Sequence, residues 1–96
     1  MHINEFQRAI EKMYFTRDNA RGMGGTFMWF VEEVGELATA LRNGDKQEML
    51  GEFADVLAWL VTLASMSGID MEEAVRKYEN GCPACHATPC RCSQKV

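Results

Sequence analysis

The sequence lacks both a long uninterrupted apolar run and a recognisable secretion signal. No stretch reaches the roughly 18 consecutive apolar residues that identify a membrane-spanning helix. The first five residues, Met1-His2-Ile3-Asn4-Glu5, do not supply the basic and then apolar segments of a signal peptide. We therefore expect a cytoplasmic protein without a membrane partner.

Positive charge is also scarce, and it is unevenly distributed. The 96 residues contain 10 Lys and Arg against 14 Asp and Glu. All the acids and eight of the basic residues precede Cys82, whereas the segment from Cys82 onward has no acid. A sequence-independent nucleic-acid binder needs a basic footprint, so we expect no nucleic-acid polymer as a partner. A small phosphate substrate remains compatible with this charge if a metal ion supplies the positive counter-charge.

Apolar residues recur at helical spacing through most of the chain. The predicted helices cover residues 3–20, 27–42, 46–66 and 70–80. Glycine-containing segments separate them, because glycine weakens helices and permits turns. Four helices with short connections indicate an all-α bundle over residues 1–81. Since a domain of this size buries a limited core, we expect oligomerisation or a bound metal to stabilise it.

Two pairs of acids lie on helices that are otherwise apolar. Glu33 and Glu36 are three residues apart, and so are Glu52 and Asp55, so each pair shares one face of its helix. Like charges in a desolvated site repel one another, and burying them is unfavourable without a counter-charge. Mg²⁺ binds through oxygen ligands and is common where the substrate contains phosphate. The pattern predicts a metal site, with a solvated acidic face as the alternative.

The order of these acids, Glu-Glu-x-x-Glu, fifteen residues, then Glu-x-x-Asp, resembles the MazG-type nucleotide pyrophosphohydrolases of the all-α NTP pyrophosphatase superfamily. The segments Arg21-Gly22, Thr26-Phe27-x-Trp29 and Lys77-x-x-Asn80 match as well, so the similarity covers about residues 3–80. The resemblance implies a helical protomer that forms a homodimer or a dimer of dimers. It also implies hydrolysis of a nucleoside triphosphate to the monophosphate and pyrophosphate.

The resemblance assigns roles to individual residues. The Mg²⁺ ligands that it implies, with Mn²⁺ as an alternative ion, are Glu33, Glu36, Glu52 and Asp55. Glu32 matches the first acid of the motif, a candidate for orienting or deprotonating the attacking water. Lys77 and Asn80 match positions that approach the phosphates, and with Glu32 they are the candidate catalytic residues. For Lys77 the alternative is a solvated helix lysine.

Three further residues are candidates for substrate binding. Trp29 lies one turn before Glu33, and Trp59 lies one turn after Asp55, so both rings are placed to stack on a base. Packing in the core or at a dimer interface is the alternative for both tryptophans, and the one we favour. Arg21 belongs to a matched segment, and a cation there would bind phosphate as a charge partner.

Cysteine is absent from the first 81 residues and then occurs four times in eleven. The run Cys82-x₂-Cys85-x₄-Cys90-x-Cys92 supplies four thiolates, which is a ligand set of structural zinc. In a cytosolic protein such crowding indicates a metal site more than disulfides. We predict that residues 82–96 form a short zinc-knuckle tail. Free thiols, redox disulfides and an iron–sulfur cluster are the alternatives.

These observations predict a Mg²⁺-dependent nucleoside triphosphate pyrophosphohydrolase that converts (d)NTP to (d)NMP and serves nucleotide-pool housekeeping. One alternative is a phosphoribosyl-ATP pyrophosphohydrolase of the same superfamily. Another is a non-enzymatic zinc-knuckle interaction module whose helices only dimerise. A carboxylate-bridged iron or manganese site is disfavoured, because such sites usually pair Glu-x-x-His motifs and no glutamate here has a histidine three residues later.

Overall fold

A computed structural model describes residues 1–93, and every regular element within them is helical. Helix α1 spans Ile3–Asn43, α2 spans Lys46–Met66 and α3 spans Met71–Val75. A 3-10 turn over Arg76–Tyr78 follows α3 directly. The predicted all-α class is confirmed, and the last three residues of the predicted tail lie outside the described part of the chain.

Helix α1 contains the first two predicted helices, which meet at Gly22. The backbone of Gly22 has φ +83° and ψ 169°, a conformation outside the helical region. Glycine adopts this conformation readily because it has no Cβ atom. The predicted interruption over residues 21–25 is therefore a bend one residue wide. The hydroxyl of the fully buried Thr26 donates to the carbonyl oxygen of Gly22 at 2.8 Å, and this hydrogen bond holds the bend.

A tight turn reverses the chain between α1 and α2. Gly44 ends α1 in the left-handed conformation at φ +76°. Asp45 then caps α2, because its side chain accepts hydrogen bonds from the backbone N–H groups of Gln47 and Glu48. With so short a connection α2 packs back along α1, and residues at equal sequence distances from Gly44 on the two helices become neighbours.

The first half of α1 is attached to the far end of α2 through Gln7, a side chain that is fully buried. Its amide nitrogen donates to the Ser65 hydroxyl at 3.0 Å and to the Ile69 carbonyl at 2.9 Å. Its amide oxygen accepts from the backbone N–H of Met71 at 2.8 Å. One glutamine therefore connects the starts of α1 and α3 with the end of α2.

The apolar core of the described protomer is small. The apolar residues that are almost completely buried within residues 1–93 are Ile10, Ala40 and Val61. Large apolar side chains on both long helices remain about half exposed, including Phe27 at 53% and Phe53 at 54%. Exposed apolar surface of this kind marks association sites, so it supports the predicted dimer, which stays a prediction.

Helix α2 is long and apolar enough to cross a membrane by length and composition alone. Its residues nevertheless include no uninterrupted apolar run of that length, because Glu52 and Asp55 interrupt it. A core helix of a globular protein has the same composition, and α2 carries Glu52 and Asp55 near its middle and packs against α1. The absence of a membrane partner stays a prediction.

The fourth predicted helix, over residues 70–80, is shorter than expected. Asp70 caps it as its position indicates, accepting a hydrogen bond from the backbone N–H of Glu72 at 3.0 Å. The α-helix ends at Val75, and the chain continues as the 3-10 turn. Residues 73–80 are all exposed, so they lack the buried apolar face that stabilises most helices. Because the first two predicted helices join at the Gly22 bend to form α1, residues 1–93 contain three α-helices rather than the predicted four.

Candidate functional site

Three carboxylates converge where the second half of α1 faces α2. Glu33, Glu36 and Glu52 each place a carboxylate oxygen within 4.8 Å of the other two. The first two are one helical turn apart on α1, as predicted, and the turn at Gly44 brings Glu52 to them from α2. We call these three residues the carboxylate cluster.

Two oxygen atoms of the carboxylate cluster are buried without a partner. Glu33 Oε2 and Glu52 Oε2 are inaccessible to solvent and accept no hydrogen bond within the described part of the chain. A buried acceptor left unpaired is unfavourable, and native structures contain few of them. A divalent cation would pair both oxygens, and the oxygen-only donor set is the one that Mg²⁺ prefers. The residues present therefore fit the predicted ion.

The pKa values of Glu33 and Glu52 are raised by their burial and by the neighbouring acids. Burial raises the pKa of Glu33 to about 7, and a hydrogen bond from its protonated form to Glu36 and the charges of the surrounding acids add to the rise. Burial also raises the pKa of Glu52, and the charges of Glu36 and Asp55 act in the same direction. Without a cation, the raised pKa values of Glu33 and Glu52 favour the protonated forms of these two side chains.

Asp55 lies one turn along α2 from Glu52, outside the group of three. Its charge raises the pKa of both Glu33 and Glu52, so it lies close to them. It also lines a cleft of about 220 Å³, whose walls include the aromatic side chains of Tyr14 and Trp59. The fourth predicted metal ligand thus stands between the carboxylate cluster and this cleft, which we call the aromatic cleft.

Charged side chains from the first half of α1 line the same cleft. Asp18 is only 6% exposed, and its Oδ1 accepts a hydrogen bond from Arg21 Nη1 at 2.9 Å. The Arg21 guanidinium also lies 4.9 Å from the ring centroid of Trp59 and donates to Thr26 at 3.3 Å. Sequence reasoning singled out Arg21 but missed Asp18, although its spacing of three residues from Arg21 signals a helical ion pair.

The two tryptophans pack against each other across the helices. The ring centroids of Trp29 and Trp59 are 6.4 Å apart with nearly parallel planes. This stacking is the structural role that the sequence offered as the alternative to base binding. Trp59 also lines the aromatic cleft, whereas Trp29 does not line it and is 47% exposed.

A second cleft, of about 270 Å³, opens on the other side of the carboxylate cluster. It is lined by Glu36 and Glu52, and by the polar side chains of Thr39, Asn43 and Glu48. The cluster therefore lies between an aromatic and partly cationic cleft on one side and a polar, acidic cleft on the other. An elongated molecule with an apolar end and an anionic, metal-binding end matches this arrangement.

The structure does not group the predicted catalytic residues with the acids. Glu32 is exposed on α1 beside the cluster, and Lys77 and Asn80 are exposed on the segment after α3. Lys77 Nζ lies 5.7 Å from the ring centroid of Tyr78. Within residues 1–93, no hydrogen bond, ion pair or shared cleft joins any of these three to the carboxylate cluster. Their catalytic roles stay predictions.

The four cysteines form a second cluster, as the sequence predicted. Their sulfur atoms lie within 4.8 Å of one another, and all four thiols are free. Hydrogen bonds to its sulfur from the backbone N–H groups of Arg91 and Ala87 lower the pKa of Cys85 to about 6. We call Cys82, Cys85, Cys90 and Cys92 the cysteine cluster.

The fold and the site together define an all-α protein with a cluster of carboxylates between two antiparallel helices. The family model of the MazG nucleotide pyrophosphohydrolase domain matches residues 24–86, about two thirds of the chain. The chain belongs to this family, as the resemblance of its acids indicated. The matched range includes the carboxylate cluster, Asp55 and the first two cysteines, and it excludes Asp18 and Arg21.

Similar proteins include two bifunctional enzymes and a phage enzyme. The chain is 34% identical over 79 residues to the histidine biosynthesis bifunctional protein HisIE of Aquifex aeolicus (strain VF5), covering 78% of this chain and 38% of that protein. The HisIE protein of Lactococcus lactis subsp. lactis (strain IL1403) is 35% identical over 68 residues, covering 71% and 32%. The dATP/dGTP diphosphohydrolase of Cyanophage S-2L is 35% identical over 74 residues, covering 77% and 67%.

The chain thus spans about a third of the length of the two bifunctional relatives and 67% of the phage enzyme. The family and the phage relative together support a hydrolase that acts on nucleotide pyrophosphate bonds.

Proposed function

We propose that the protein hydrolyses nucleoside triphosphates between the α- and β-phosphorus atoms, releasing a nucleoside monophosphate and pyrophosphate, as part of cytoplasmic nucleotide-pool housekeeping. The observation that carries this proposal is the pair of buried, unpartnered carboxylate oxygens of Glu33 and Glu52 beside a cleft with aromatic walls. Family membership and the dATP/dGTP diphosphohydrolase relative support the same bond choice.

The carboxylate cluster and Asp55 would hold Mg²⁺. When bound, the ion supplies positive charge to the phosphates and lowers the pKa of a bound water. The chain's own contribution is to keep its carboxylates close together and unpaired, so that the site is formed before substrate arrives. Hard oxygen donors select Mg²⁺ here, whereas the thiolates of the cysteine cluster favour Zn²⁺, so the two clusters take different ions.

The two clefts beside the carboxylate cluster would orient the substrate relative to the acids. The nucleoside lies in the aromatic cleft, against Tyr14 and Trp59, and the phosphates extend toward the acids. Arg17 and Arg21 line the same cleft and offer cationic N–H donors to the phosphates. Arg21 is held in place by Asp18 and Trp59, so little side-chain entropy is lost when it binds.

Asp18 gives the aromatic cleft a preference among bases. Its carboxylate is almost fully buried, lines the cleft, and has accepting capacity beyond the hydrogen bond from Arg21. It therefore favours a base that presents an exocyclic amine, as adenine, guanine and cytosine do. Thymine and uracil present carbonyl oxygens on both sides of one N–H, and a carboxylate repels them.

The remaining predicted residues complete the proposal. Glu32 orients or deprotonates the attacking water, while Lys77 and Asn80 bind the phosphates. All three are exposed in the protomer, as are large apolar side chains on α1 and α2. Association into a homodimer or a dimer of dimers would cover this apolar surface and bring residues of a second protomer toward the cleft.

The direct test is a turnover assay with purified protein, Mg²⁺ and a panel of NTPs and dNTPs. We expect equimolar nucleoside monophosphate and pyrophosphate, with dATP, dGTP and dCTP preferred to dTTP and dUTP. Turnover should stop when Mg²⁺ is chelated and return when it is restored. Release of orthophosphate would rule out the proposed bond choice, and turnover that is unaffected by chelation would rule out the metal.

A second candidate substrate is phosphoribosyl-ATP, which the similarity to two histidine biosynthesis proteins favours. The same carboxylate cluster would act on its pyrophosphate bond. Including this compound in the panel separates the two possibilities. If kcat/KM is highest for phosphoribosyl-ATP, it replaces the nucleoside triphosphates as the proposed substrate.

A further inference from the structure

We propose that the cysteine cluster binds one Zn²⁺ in a tetrahedral site, and that this ion, rather than packing, holds residues 81–93 in their conformation. Three observations support this proposal: the distances between the sulfur atoms, the backbone hydrogen bonds to them, and the near absence of buried residues in the segment. It does not depend on the proposed hydrolysis.

The sulfur atoms of the cluster lie where a tetrahedral zinc site needs them. Zinc–sulfur bonds of about 2.3 Å give a regular tetrahedron with sulfur–sulfur edges of about 3.8 Å. The Sγ atoms of Cys82 and Cys92 are 3.7 Å apart, those of Cys82 and Cys90 are 3.6 Å apart, and those of Cys85 and Cys90 are 3.9 Å apart. A disulfide needs about 2.05 Å, so none of these pairs is bonded. Thiols are weak donors and acceptors and do not by themselves hold four sulfurs together.

The backbone around the cluster is arranged to support thiolates. The N–H of Arg91 donates to the sulfur of Cys85 at 3.3 Å, and the N–H of Cys92 donates to the sulfur of Cys90 at 3.3 Å. Such bonds orient the ligands of a metal site from the second coordination shell. His86 directly follows Cys85, but it is exposed and does not belong to the group of converging ligand atoms. The site is therefore built from four sulfurs without the histidine.

No packing explains why residues 81–93 hold this shape. The segment contains no helix or strand, and nearly all of its residues are half-buried or exposed. Two backbone hydrogen bonds close it, from Cys82 N–H to the Ala87 carbonyl at 3.1 Å and from His86 N–H to the Cys82 carbonyl at 2.6 Å. Ordering a loop of this length is entropically unfavourable, and metal binding offsets that loss in small metal-dependent units.

Gly81 marks the point where the zinc-held segment begins. Its φ is +96°, and a Cβ at this position would lie 2.9 Å from Thr88 Oγ1 and 3.2 Å from the Ala87 carbonyl carbon. The loop thus closes onto its own first residue, beside Tyr78, with which it shares a groove. The helices have a separate core and the Gln7 hydrogen bonds. Loss of zinc should therefore release the segment from Gly81 onward and leave α1 and α2 folded.

The test uses the full chain, purified without chelators, with metal content measured by mass spectrometry. We expect one zinc per chain in the wild type, and ligand-field absorption bands of a tetrahedral thiolate complex when Co²⁺ replaces it. Cys90→Ser and Cys92→Ser should each lower zinc affinity by about tenfold or more. His86→Asn is the matched control: it removes the imidazole, retains a residue that tolerates a positive φ, and should keep the zinc.

A second readout separates the segment from the helices. Removing zinc should speed tryptic cleavage after Arg91 and increase amide exchange in residues 81–93, with far-ultraviolet circular dichroism unchanged. Iron in place of zinc, full zinc retention in both serine variants, or absence of metal together with absence of the Co²⁺ bands would each overturn the site. Loss of helicity together with zinc would overturn the independence of the segment.

Discussion

The carboxylate cluster and the cysteine cluster differ in what places their donor atoms. The acids belong to α1 and α2, and the packing of these helices keeps Glu33 and Glu52 together although their buried oxygens lack partners. The cysteines belong to a loop that is largely exposed, contains no helix or strand, and has two backbone hydrogen bonds and the convergence of four sulfurs to shape it. Helix packing thus brings the acids together although their charges repel, whereas we propose that the four cysteines, by binding zinc, hold the loop in its conformation.

Metal removal should therefore have opposite consequences at the two sites. At the carboxylate cluster the fold remains and carries unfavourable electrostatics, which a protein tolerates where the site must accept and release a substrate–metal complex. At the cysteine cluster the fold itself is lost locally. Variants that change one region and leave the other intact test this contrast.

Glu52→Gln should abolish most turnover without loss of helicity. The change removes a charged donor from a preorganised site, for which a decrease in kcat of about 10²- to 10³-fold is typical. Glutamine has the same shape, so circular dichroism should be unchanged and the metal-free protein should not be less stable. Glu73→Gln, at an exposed acid of α3, is the control. Activity within twofold of the wild type would remove Glu52 from the site.

Gln7→Ala should destabilise the helices and leave the cysteine cluster intact. The variant removes three hydrogen bonds from a fully buried position, and we expect a loss of about 1–3 kcal/mol in the free energy of unfolding. Zinc content should not change. Denaturant unfolding measures the free energy of unfolding, and metal analysis of the same sample measures the zinc content. A fall in zinc content together with stability would show that the two regions are coupled.

Asp18→Asn should weaken the discrimination among bases. A hydrogen bond to a charged group contributes about 1.5–3 kcal/mol, so the preference for dGTP or dATP over dTTP should fall by about tenfold or more. Asparagine keeps an oxygen for Arg21 and adds an N–H that donates to the carbonyl oxygens of thymine. The ratio of kcat/KM values is the measurement. Asp70→Asn, which retains a capping side chain, is the control, and an unchanged ratio in Asp18→Asn would mean that another group selects the base.

The pH dependence of stability gives the smallest effect. The folded-state pKa of Glu33 is about 7, above its ordinary value of 4.5, so its contribution to stability is present below about pH 4.5 and lost as the pH rises through 7. Metal-free protein should therefore melt at a lower temperature at pH 8 than at pH 5.5, and Mg²⁺ should restore more stability at pH 8. Glu33→Gln should flatten both differences. Equal pH dependence in the variant would assign the effect to other groups.

The features that sequence reasoning predicted depend on local spacing. Acids three residues apart must share a helix face, and four closely spaced cysteines can reach one ion whatever the rest of the chain does. The glycines at positions 22 and 44 marked the bend and the turn for the same reason. Given two antiparallel helices, the meeting of Glu36 with Glu52 follows from their equal distances to the turn.

The features that it missed depend on contacts between distant segments. Gln7 is a fully buried polar residue of α1, and its partners Ser65, Ile69 and Met71 lie about sixty residues away. Asp18 lines a cleft only because α2 packs against α1 and supplies Trp59 as part of the opposite wall. The predicted final helix was too long, because the cap at Asp70 and the glycine at position 81 indicated its ends but could not show that the residues between them would stay exposed.

The bend at Gly22 gives one residue control over the distance between two chemical environments. Residues before it supply Asp18 and Arg21, residues after it supply Glu33 and Glu36, and both groups face the same helix α2. The two torsion angles of Gly22 therefore determine how far the groups that line the aromatic cleft lie from the carboxylate cluster. A side chain at this position would strain the positive φ, and the spacing of the cleft and the cluster would change without any alteration of the residues that form them.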